Sequence, residues 1–328
     1  MKRLGPIAGV LLVFILSALA LVKIYDKGKD QKPLRYAEVP QETIDWINSL
    51  TEGLDDIFST FDPIPRPTPW GNGADVGKDP ESGLETLEDE YFIIYYPESL
   101  AKKAKQTLQY AHEAIPRLED IIGKYYYPED MNGRKVPIYL AVGNEDYSAL
   151  YKKISGGSDA GNSDGVTIYE ISPSGLFLKG IILKGSSVFS NDMYHREVQW
   201  HEMTHYCFAA SLDYNQRINL PMWCTEGIAE YTGITERRPK FNSQEIEMMR
   251  KDCDLSASYF PYVFEVYSGG HSIFCHMEDK YKVSGVKGFL KTLYSKGIPE
   301  SMKENFSTTV PAFEADWKAN LDKFNSKR

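Results

Sequence analysis

The sequence has no excess of basic residues. Its 37 lysines and arginines are outnumbered by 46 aspartates and glutamates, which gives a net charge of −9 at pH 7. A protein that binds nucleic acid needs a basic face to neutralise the phosphates. The composition therefore argues against nucleic acid as a partner. Hydrophobic residues make up 42% of the chain, which is enough to form the core of a globular domain.

Cysteine is also scarce, and the four cysteines are Cys207, Cys224, Cys253 and Cys275. In an exported chain, an even number of cysteines permits two disulfides in three possible pairings. Four buried thiols are an equally consistent interpretation. No cysteine lies at the end of the apolar N-terminal run, so we do not expect a lipoprotein anchor.

Long apolar runs are limited to residues 5–22, which follow two basic residues. This arrangement is typical of a signal peptide or of an uncleaved membrane anchor. Residues 18–20, Ala-Leu-Ala, fit the cleavage pattern of a signal peptide, whereas the length of the run is close to the minimum for a bilayer span. We favour residues 1–22 as an anchor, with the rest of the chain outside the cytoplasm in the cell envelope. The positive-inside rule does not support this orientation, because basic residues are more numerous after the run than before it.

Residues 23–87 are predicted to connect this run to the main domain. Apolar side chains recur at three- and four-residue steps over residues 41–61, which predicts an amphipathic helix. Prolines at alternating positions over residues 62–69 then favour an extended chain. The helix could pack on the main domain, act as a membrane-proximal spacer or bind a partner, and the sequence leaves these alternatives open.

Residues 88–328 are predicted to form the main domain, with an α+β fold in which a small mixed β-sheet precedes a mainly helical part. Aromatic and β-branched residues predict strands, and apolar residues at helical spacing predict helices. Pro116 falls inside the first long helix and predicts a kink or break there. The predicted strands are residues 91–96, 136–142, 166–169 and 180–183, and the predicted helices are residues 97–122, 191–212, 222–232, 262–281, 286–293 and 312–324.

His201-Glu202-Met203-Thr204-His205 places two histidines four residues apart in a predicted helix. Residues with this spacing lie on one helix face, so both imidazoles can reach a single metal ion. Glu202 follows the first histidine and projects beside the metal, where it can accept a proton from a bound water. The motif therefore predicts a zinc site in which Glu202 acts as general base.

Two further acidic residues lie in the predicted helix 222–232. A catalytic zinc site uses three protein ligands and keeps one position open for water. Glu226 can supply the third ligand after His201 and His205, so that one Zn2+ binds per chain. Glu230 lies one helical turn further along and can hydrogen-bond the far nitrogen of a ligand histidine, which fixes its tautomer.

The two motifs, HEMTH at residues 201–205 and WCTEGIAEY at residues 223–231, resemble those of gluzincins. Gluzincins are the thermolysin-like branch of the peptidase MA superfamily, and a diffuse similarity to peptidase-MA-like domains extends over residues 88–324. The resemblance implies a thermolysin-like fold and a zinc-dependent endopeptidase acting on peptide or protein substrates. By the same resemblance, Glu226 is the third zinc ligand and Glu230 orients a histidine.

The resemblance also predicts two supporting elements. Gluzincins use a Tyr or His to stabilise the oxyanion that forms from the attacked carbonyl, and Tyr267 is the first candidate here, followed by His271 and Tyr262. In these folds, an edge strand before the HExxH helix binds the substrate backbone. The strand at that place in the sequence contains the predicted substrate-binding residues Gly180, Ile181, Ile182 and Leu183.

Two alternatives stay open from the residues alone. One is a non-catalytic, membrane-anchored zinc scaffold that binds a partner, which a fourth ligand from Cys207 or Cys224 would favour. Glu202 argues against this scaffold, because a structural zinc site has no use for a base. The other alternative is latency, in which residues 41–69 cover the site until they are removed.

Overall fold

The computed structural model describes residues 77–80, 82–125, 133–157, 163–172, 175–234, 237–258 and 260–326. The predicted anchor, the predicted amphipathic helix and the proline-rich segment lie outside these residues. None of the helices within the described residues is both long enough and apolar enough to cross a membrane. The chain divides into two units, Met1–Ile64 and Pro65–Arg328, and all described residues belong to the second unit.

A six-stranded mixed sheet forms the first part of this unit. The strands are β1 (Gly77–Lys78), β2 (Glu85–Glu88), β3 (Phe92–Tyr96), β4 (Val136–Ala141), β5 (Gly165–Ser172) and β6 (Gly175–Lys184). Their order across the sheet is β1-β2-β3-β4-β6-β5. The pairs β3–β4 and β4–β6 are parallel, and the other pairs are antiparallel.

The sheet begins before residue 88, the predicted start of the main domain. Strands β1 and β2 precede β3 in the chain, and β2 pairs with both β1 and β3. These two strands are short, and β2 contains a single buried residue, so no alternating pattern of apolar residues marks them in the sequence. All four predicted strands are present, each within a few residues of its predicted limits.

Helices make up most of the other residues that the structure describes. They are α1 (Ala101–Ile122), α2 (Asn144–Ser155), α3 (Gly185–Val188), α4 (Asp192–Ser211), α5 (Tyr214–Asn219), α6 (Met222–Gly233), α7 (Ser243–Asp252), α8 (Gly270–Lys296), α9 (Ile298–Phe306) and α10 (Val310–Ala319). A π-helical turn, Glu265–Gly269, leads directly into α8. Short 3-10 turns span Glu98–Leu100 and Leu321–Phe324.

A kink or break is predicted at Pro116, and the structure shows that the helix is not broken there, since α1 continues through this residue. Proline removes one backbone hydrogen bond, but packing of a buried face supplies most of the stability of a helix in a protein. Here Ala111 and Ile115 before the proline and Leu118 and Ile122 after it are all buried. The apolar face is therefore continuous across the missing bond.

The sheet separates two cores, and β3 shows how. Successive strand residues point to opposite faces. Phe92 and Ile94 belong to the main core, which the sheet shares with the helices, whereas Ile93 and Tyr95 belong to a smaller core that includes side chains of α2. The sheet thus lies between α2 on one face and the main helical layer on the other, and α4 contacts β5 and β6.

The prediction that Gly180–Leu183 offers a free edge to a substrate is wrong. Within β6, Ile181 pairs with Ile138 of β4 on one side and with Thr167 of β5 on the other. The backbone groups of this segment are therefore used inside the sheet. β5 is the edge strand on this side, because no other strand among the described residues pairs with its outer side.

The four cysteines are buried free thiols, which is the second of the two interpretations that the sequence left open. Burial raises the pKa of the Cys224 thiol, which disfavours the thiolate that binds metal.

Candidate metal centre and catalytic cleft

Helix α4 carries the HExxH motif, and its ends and burial follow from its sequence. Asn191 caps it, with Oδ1 accepting hydrogen bonds from the backbone N–H groups of Met193 at 2.8 Å and Tyr194 at 3.3 Å. Its central part is buried, although it contains charged and polar side chains including His201 and Glu202. Burial of a polar side chain costs free energy unless it forms hydrogen bonds or ion pairs. The partners of His201 and Glu202 therefore identify the candidate site.

His201 and His205 of α4 converge with Glu226 of α6. The Nε2 atoms of the two histidines lie 3.0 Å apart. Oε2 of Glu226 lies 3.3 Å from Nε2 of His201 and 3.2 Å from Nε2 of His205. These three side chains form the group among the described residues whose ligand atoms are close enough to hold one metal ion, and it includes no cysteine.

The arrangement fits a zinc ion. Two imidazole nitrogens and one carboxylate oxygen are the donor types that zinc prefers, and three protein ligands leave one coordination position open. Oε2 of Glu226 is buried and has no hydrogen bond of normal geometry. An unsatisfied buried acceptor at the point where two imidazoles meet is best explained by a cation bound there.

Glu230 contacts the opposite side of the His201 ring. Its Oε1 lies 3.2 Å from Nδ1 of His201, so a proton on Nδ1 leaves the lone pair on Nε2 for the metal. Burial disfavours a charged His201, but the carboxylates of Glu226 and Glu230 outweigh burial and raise its pKa. Burial would likewise raise the pKa of Glu226, but His205 and His201 together lower it. Protons therefore compete with a metal ion at this site.

Glu202 contacts β5 rather than the metal-binding group. Its Oε2 lies 2.8 Å from Oγ1 of Thr167, and its main-chain oxygen lies 2.7 Å from the same atom. The side chain is only 6% exposed, yet it lines a cleft of about 1140 Å³. Glu202 is thus placed between the edge strand and the space that a substrate would occupy.

The same cleft includes two of the three predicted oxyanion donors. The ring of Tyr267 stacks near that of His201, with centroids 6.0 Å apart and planes 22° apart. Tyr267 and His271 both line the cleft. Tyr262 does not line it; this residue is 47% exposed and stacks on Phe264. The structure therefore brings Tyr267 and His271 to the site and leaves Tyr262 outside it.

Tyr267 and His271 are both uncharged at neutral pH. Burial, and secondarily the nearby carboxylates of Glu226 and Glu202, raise the pKa of the Tyr267 phenol. Burial lowers the pKa of His271 to about 4, against the opposing effect of Glu230. Tyr267 is therefore a neutral O–H donor, and His271 is a neutral imidazole.

Three positions on β5 that border the site were not among the residues predicted from the sequence. Gly165, Thr167 and Tyr169 alternate along the strand and so share the face towards α4. Gly165 and Thr167 contact Glu202, and burial followed by the charges of Glu226 and Glu202 raises the pKa of Tyr169. The alternation of these residues along the strand can be read from the sequence, but it does not show which helix the strand faces.

Comparison with known proteins gave distant similarities only. No protein-family model and no curated protein sequence matches this chain. A crystal structure of a two-domain M1 zinc metallopeptidase variant bound to L-arginine is similar, with a TM-score of 0.40 and 11% identity over 69% of this chain and 48% of that chain. The L-tryptophan complex of a two-domain M1 zinc metallopeptidase variant gives a TM-score of 0.38 and 12% identity over 71% of this chain and 50% of that chain.

The chain thus spans about half the length of these solved structures. Similarity at this level carries no argument about activity, so the function proposed below rests on the geometry of the site.

Proposed function

We propose that this protein is a zinc-dependent endopeptidase of the gluzincin type. The observation that carries the proposal is the convergence of His201, His205 and Glu226 beside the cleft that Glu202 lines. Bound by these three side chains, a zinc ion would act as a Lewis acid and increase the acidity of a coordinated water.

Glu202 is the general base in this proposal. It accepts a proton from the attacking water and then donates it to the leaving nitrogen of the cleaved peptide bond. Glu230 keeps His201 in the tautomer with an unprotonated Nε2 through its contact at Nδ1. Each of the two carboxylates therefore controls a proton at a defined atom.

Tyr267 is the proposed oxyanion donor, with His271 as the second candidate. The attacked carbonyl oxygen becomes negatively charged, and a fixed donor in a partly dry cleft stabilises this charge. The raised pKa of Tyr267 keeps its O–H available for that hydrogen bond at neutral pH. Its position on the wall of the cleft next to His201 supports this role.

We assign substrate binding to β5 in place of β6. The cleft reaches from Gly165 at the start of β5 to Val263 and Tyr267 near α8. An extended peptide can add to a free sheet edge through main-chain hydrogen bonds. A peptide paired with β5 would pass directly over Glu202, since Gly165 and Thr167 both contact that side chain.

The non-catalytic zinc scaffold has less support. Structural zinc sites are closed by four protein ligands, often cysteines. The group within the described residues contains three side chains, and Cys207 and Cys224 are not among them. The contact of Glu202 with the edge strand further favours a role for this residue in catalysis.

The test combines metal analysis with activity on the purified full-length chain. We expect one zinc per chain in both the wild type and Glu202→Gln, and cleavage of casein or a peptide library by the wild type. The substitution should lower kcat by about a hundred- to ten-thousandfold, because it removes the general base. Zinc without cleavage by either protein would favour the scaffold, or latency imposed by residues 41–69, and a chain without zinc would refute the proposal.

We also propose that residues 1–22 anchor the protein, with its catalytic part outside the cytoplasm. This proposal rests on the sequence, since the segment lies outside the described residues. Protease accessibility on intact cells tests it: an externally added protease should degrade the domain, and complete protection until lysis would contradict the proposed orientation.

A further inference from the structure

Thr167 of β5 meets the side chain of Glu202 from the sheet side. Its Oγ1 lies 2.8 Å from Oε2 of Glu202 and 2.7 Å from the main-chain oxygen of the same residue. A hydroxyl has one proton to donate, and a carboxylate is a stronger acceptor than a main-chain carbonyl. The hydroxyl therefore has a charged acceptor on Glu202 at normal hydrogen-bond distance.

Gly165 completes this contact from the same face of β5. A Cβ atom built on Gly165 would lie 2.8 Å from both Cγ and Oε1 of Glu202, and 2.9 Å from Cγ1 of Val198. Only a residue without a side chain allows the strand to approach α4 so closely. The strand thus bounds the Glu202 side chain at two successive inward-facing positions.

The two carboxylate oxygens of Glu202 are consequently not equivalent. Oε2 accepts the hydroxyl of Thr167. Oε1 forms no hydrogen bond with any other described residue, and Glu202 lines the cleft. A free glutamate side chain samples several rotamers, so a fixed partner on one oxygen leaves the other oxygen in a defined direction.

We propose that Thr167 is a positioning residue, which holds Oε2 of Glu202 so that Oε1 faces the cleft to accept the proton of the attacking water. The inference rests on the proposed function, in which Glu202 is the general base. It also gives β5 two roles, because the strand that pairs with the substrate orients the base as well. Strand β5 would then position both the general base and the scissile bond of the substrate.

The test uses three threonine variants of the full-length chain. Thr167→Val keeps the shape and removes the hydroxyl, whereas Thr167→Ser keeps the hydroxyl. Thr86→Val is the matched control, because Thr86 lies in β2 of the same sheet, with β3, β4 and β6 between it and β5. We expect all three variants to bind one zinc per chain.

The kinetic result separates positioning from substrate binding. Thr167→Val should lower kcat by about ten- to a hundredfold, as expected for loss of a hydrogen bond to a charged group, with KM near the wild-type value. Thr167→Ser should recover most of the rate, and Thr86→Val should match the wild type. Wild-type kcat in Thr167→Val, or an equal loss in Thr167→Ser, would overturn the inference.

A second measurement decides the inference without any activity. Crystal structures of the wild type and Thr167→Val should show the Glu202 carboxylate rotated away from its wild-type direction in the variant. An unchanged carboxylate would overturn the inference even if peptide cleavage is established. Conversely, a chain that binds zinc and cleaves no peptide, even after removal of residues 41–69, would contradict the proposed function, while the crystal comparison would still test the role of Thr167.

Discussion

Gly227 of α6 and Gly270 of α8 pack backbone against backbone: a Cβ atom built on Gly227 would lie 2.6 Å from the carbonyl carbon of Gly270. The contact leaves no room for a side chain at either position. Glu226 directly precedes Gly227, and Tyr267 lies in the turn that leads to Gly270. This contact therefore helps to set the distance between Glu226, the third candidate metal ligand, and Tyr267, the proposed oxyanion donor.

Replacement of Gly227 by alanine should disturb both stability and metal binding. The added methyl group must push α6 and α8 apart, and overpacking of this kind costs about 1–3 kcal/mol. We expect a lower free energy of unfolding in denaturant and a lower zinc content, because Glu226 moves with α6. Gly157→Ala is the control, since a Cβ atom there meets nothing within 4 Å. Wild-type zinc content and stability in Gly227→Ala would show that the helices do not need this close approach.

Tyr267→Phe tests the oxyanion donor by removing one oxygen atom. We expect kcat to fall by about a hundred- to a thousandfold, with zinc content unchanged, because the phenol is not a ligand. Tyr262→Phe makes the same chemical change at an exposed residue outside the cleft and should leave kcat unchanged. If Tyr267→Phe stays fully active and His271→Ala does not, the donor is His271.

Glu230→Gln should weaken zinc binding and preserve the fold. Loss of a carboxylate that orients a ligand histidine typically lowers metal affinity by about ten- to a hundredfold. Competition with a chromophoric zinc chelator measures this change directly. Glu304→Gln alters a surface carboxylate paired with Lys296 and serves as the control. Equal zinc affinity in both variants would mean that the contact between Glu230 and His201 does not support the metal site.

His195 should make the protein less stable in acid. Burial, with Lys103 nearby, lowers its pKa to about 4 against the opposing effect of Asp192. Since this folded-state pKa lies below the unfolded value of about 6.5, the unfolded chain binds the proton first as the pH falls. The contribution of His195 is complete above pH 6.5 and is lost as the pH falls towards 4, by about 3 kcal/mol.

Denaturant unfolding measured at several pH values between 7 and 4 tests this effect. His195→Gln cannot titrate, so its stability should fall less steeply over that interval. Part of the slope should persist, because His271 also has its pKa lowered to about 4. An identical slope in wild type and variant would contradict a buried, neutral His195.

The two histidines of the candidate metal site could be located from sequence because their geometry is local. Residues four apart on a helix face the same way, so the spacing of His201 and His205 determines their convergence. Glu226 lies on a second helix, and its assignment came from the need for a third ligand and from the resemblance to gluzincins, because the packing of α6 on α4 is not a local property. Thr167 could not be located in this way, since its contact with Glu202 depends on which strand pairs outside β6, and strand order is a long-range property.

The composition of β6 is not that of an edge strand, although Gly180–Leu183 was predicted to be one. Ile181, Ile182 and Leu183 form a continuous apolar run, which is typical of a strand covered on both faces inside a sheet. β5 carries polar residues such as Thr167 and Glu170 between its apolar ones, as expected at an edge. Composition therefore identifies the edge strand better than position in the sequence before α4 does.

Helix α7 begins with a capping signal that can be read from the sequence. Asn242 caps it, and Glu245 bonds back to the backbone N–H of Asn242, which is the capping box expected from an Asn with Glu three residues later. Apolar periodicity over its ten residues is weak by comparison, with Ile246 and Met249 as the buried positions. The cap therefore identifies this helix better than its hydrophobic face does.

The π-helical turn Glu265–Gly269 makes the site sensitive to chain length. A π-helical turn contains about one residue more than an α-helical turn, and one residue corresponds to a rotation of about 100°. The direction of Tyr267 therefore depends on how many residues the turn holds, more than on which residues they are. We expect a single-codon deletion there to turn the phenol out of the cleft and to leave His201, His205 and Glu226 in place, so the proposed oxyanion donor can be lost in one step without loss of the candidate metal site.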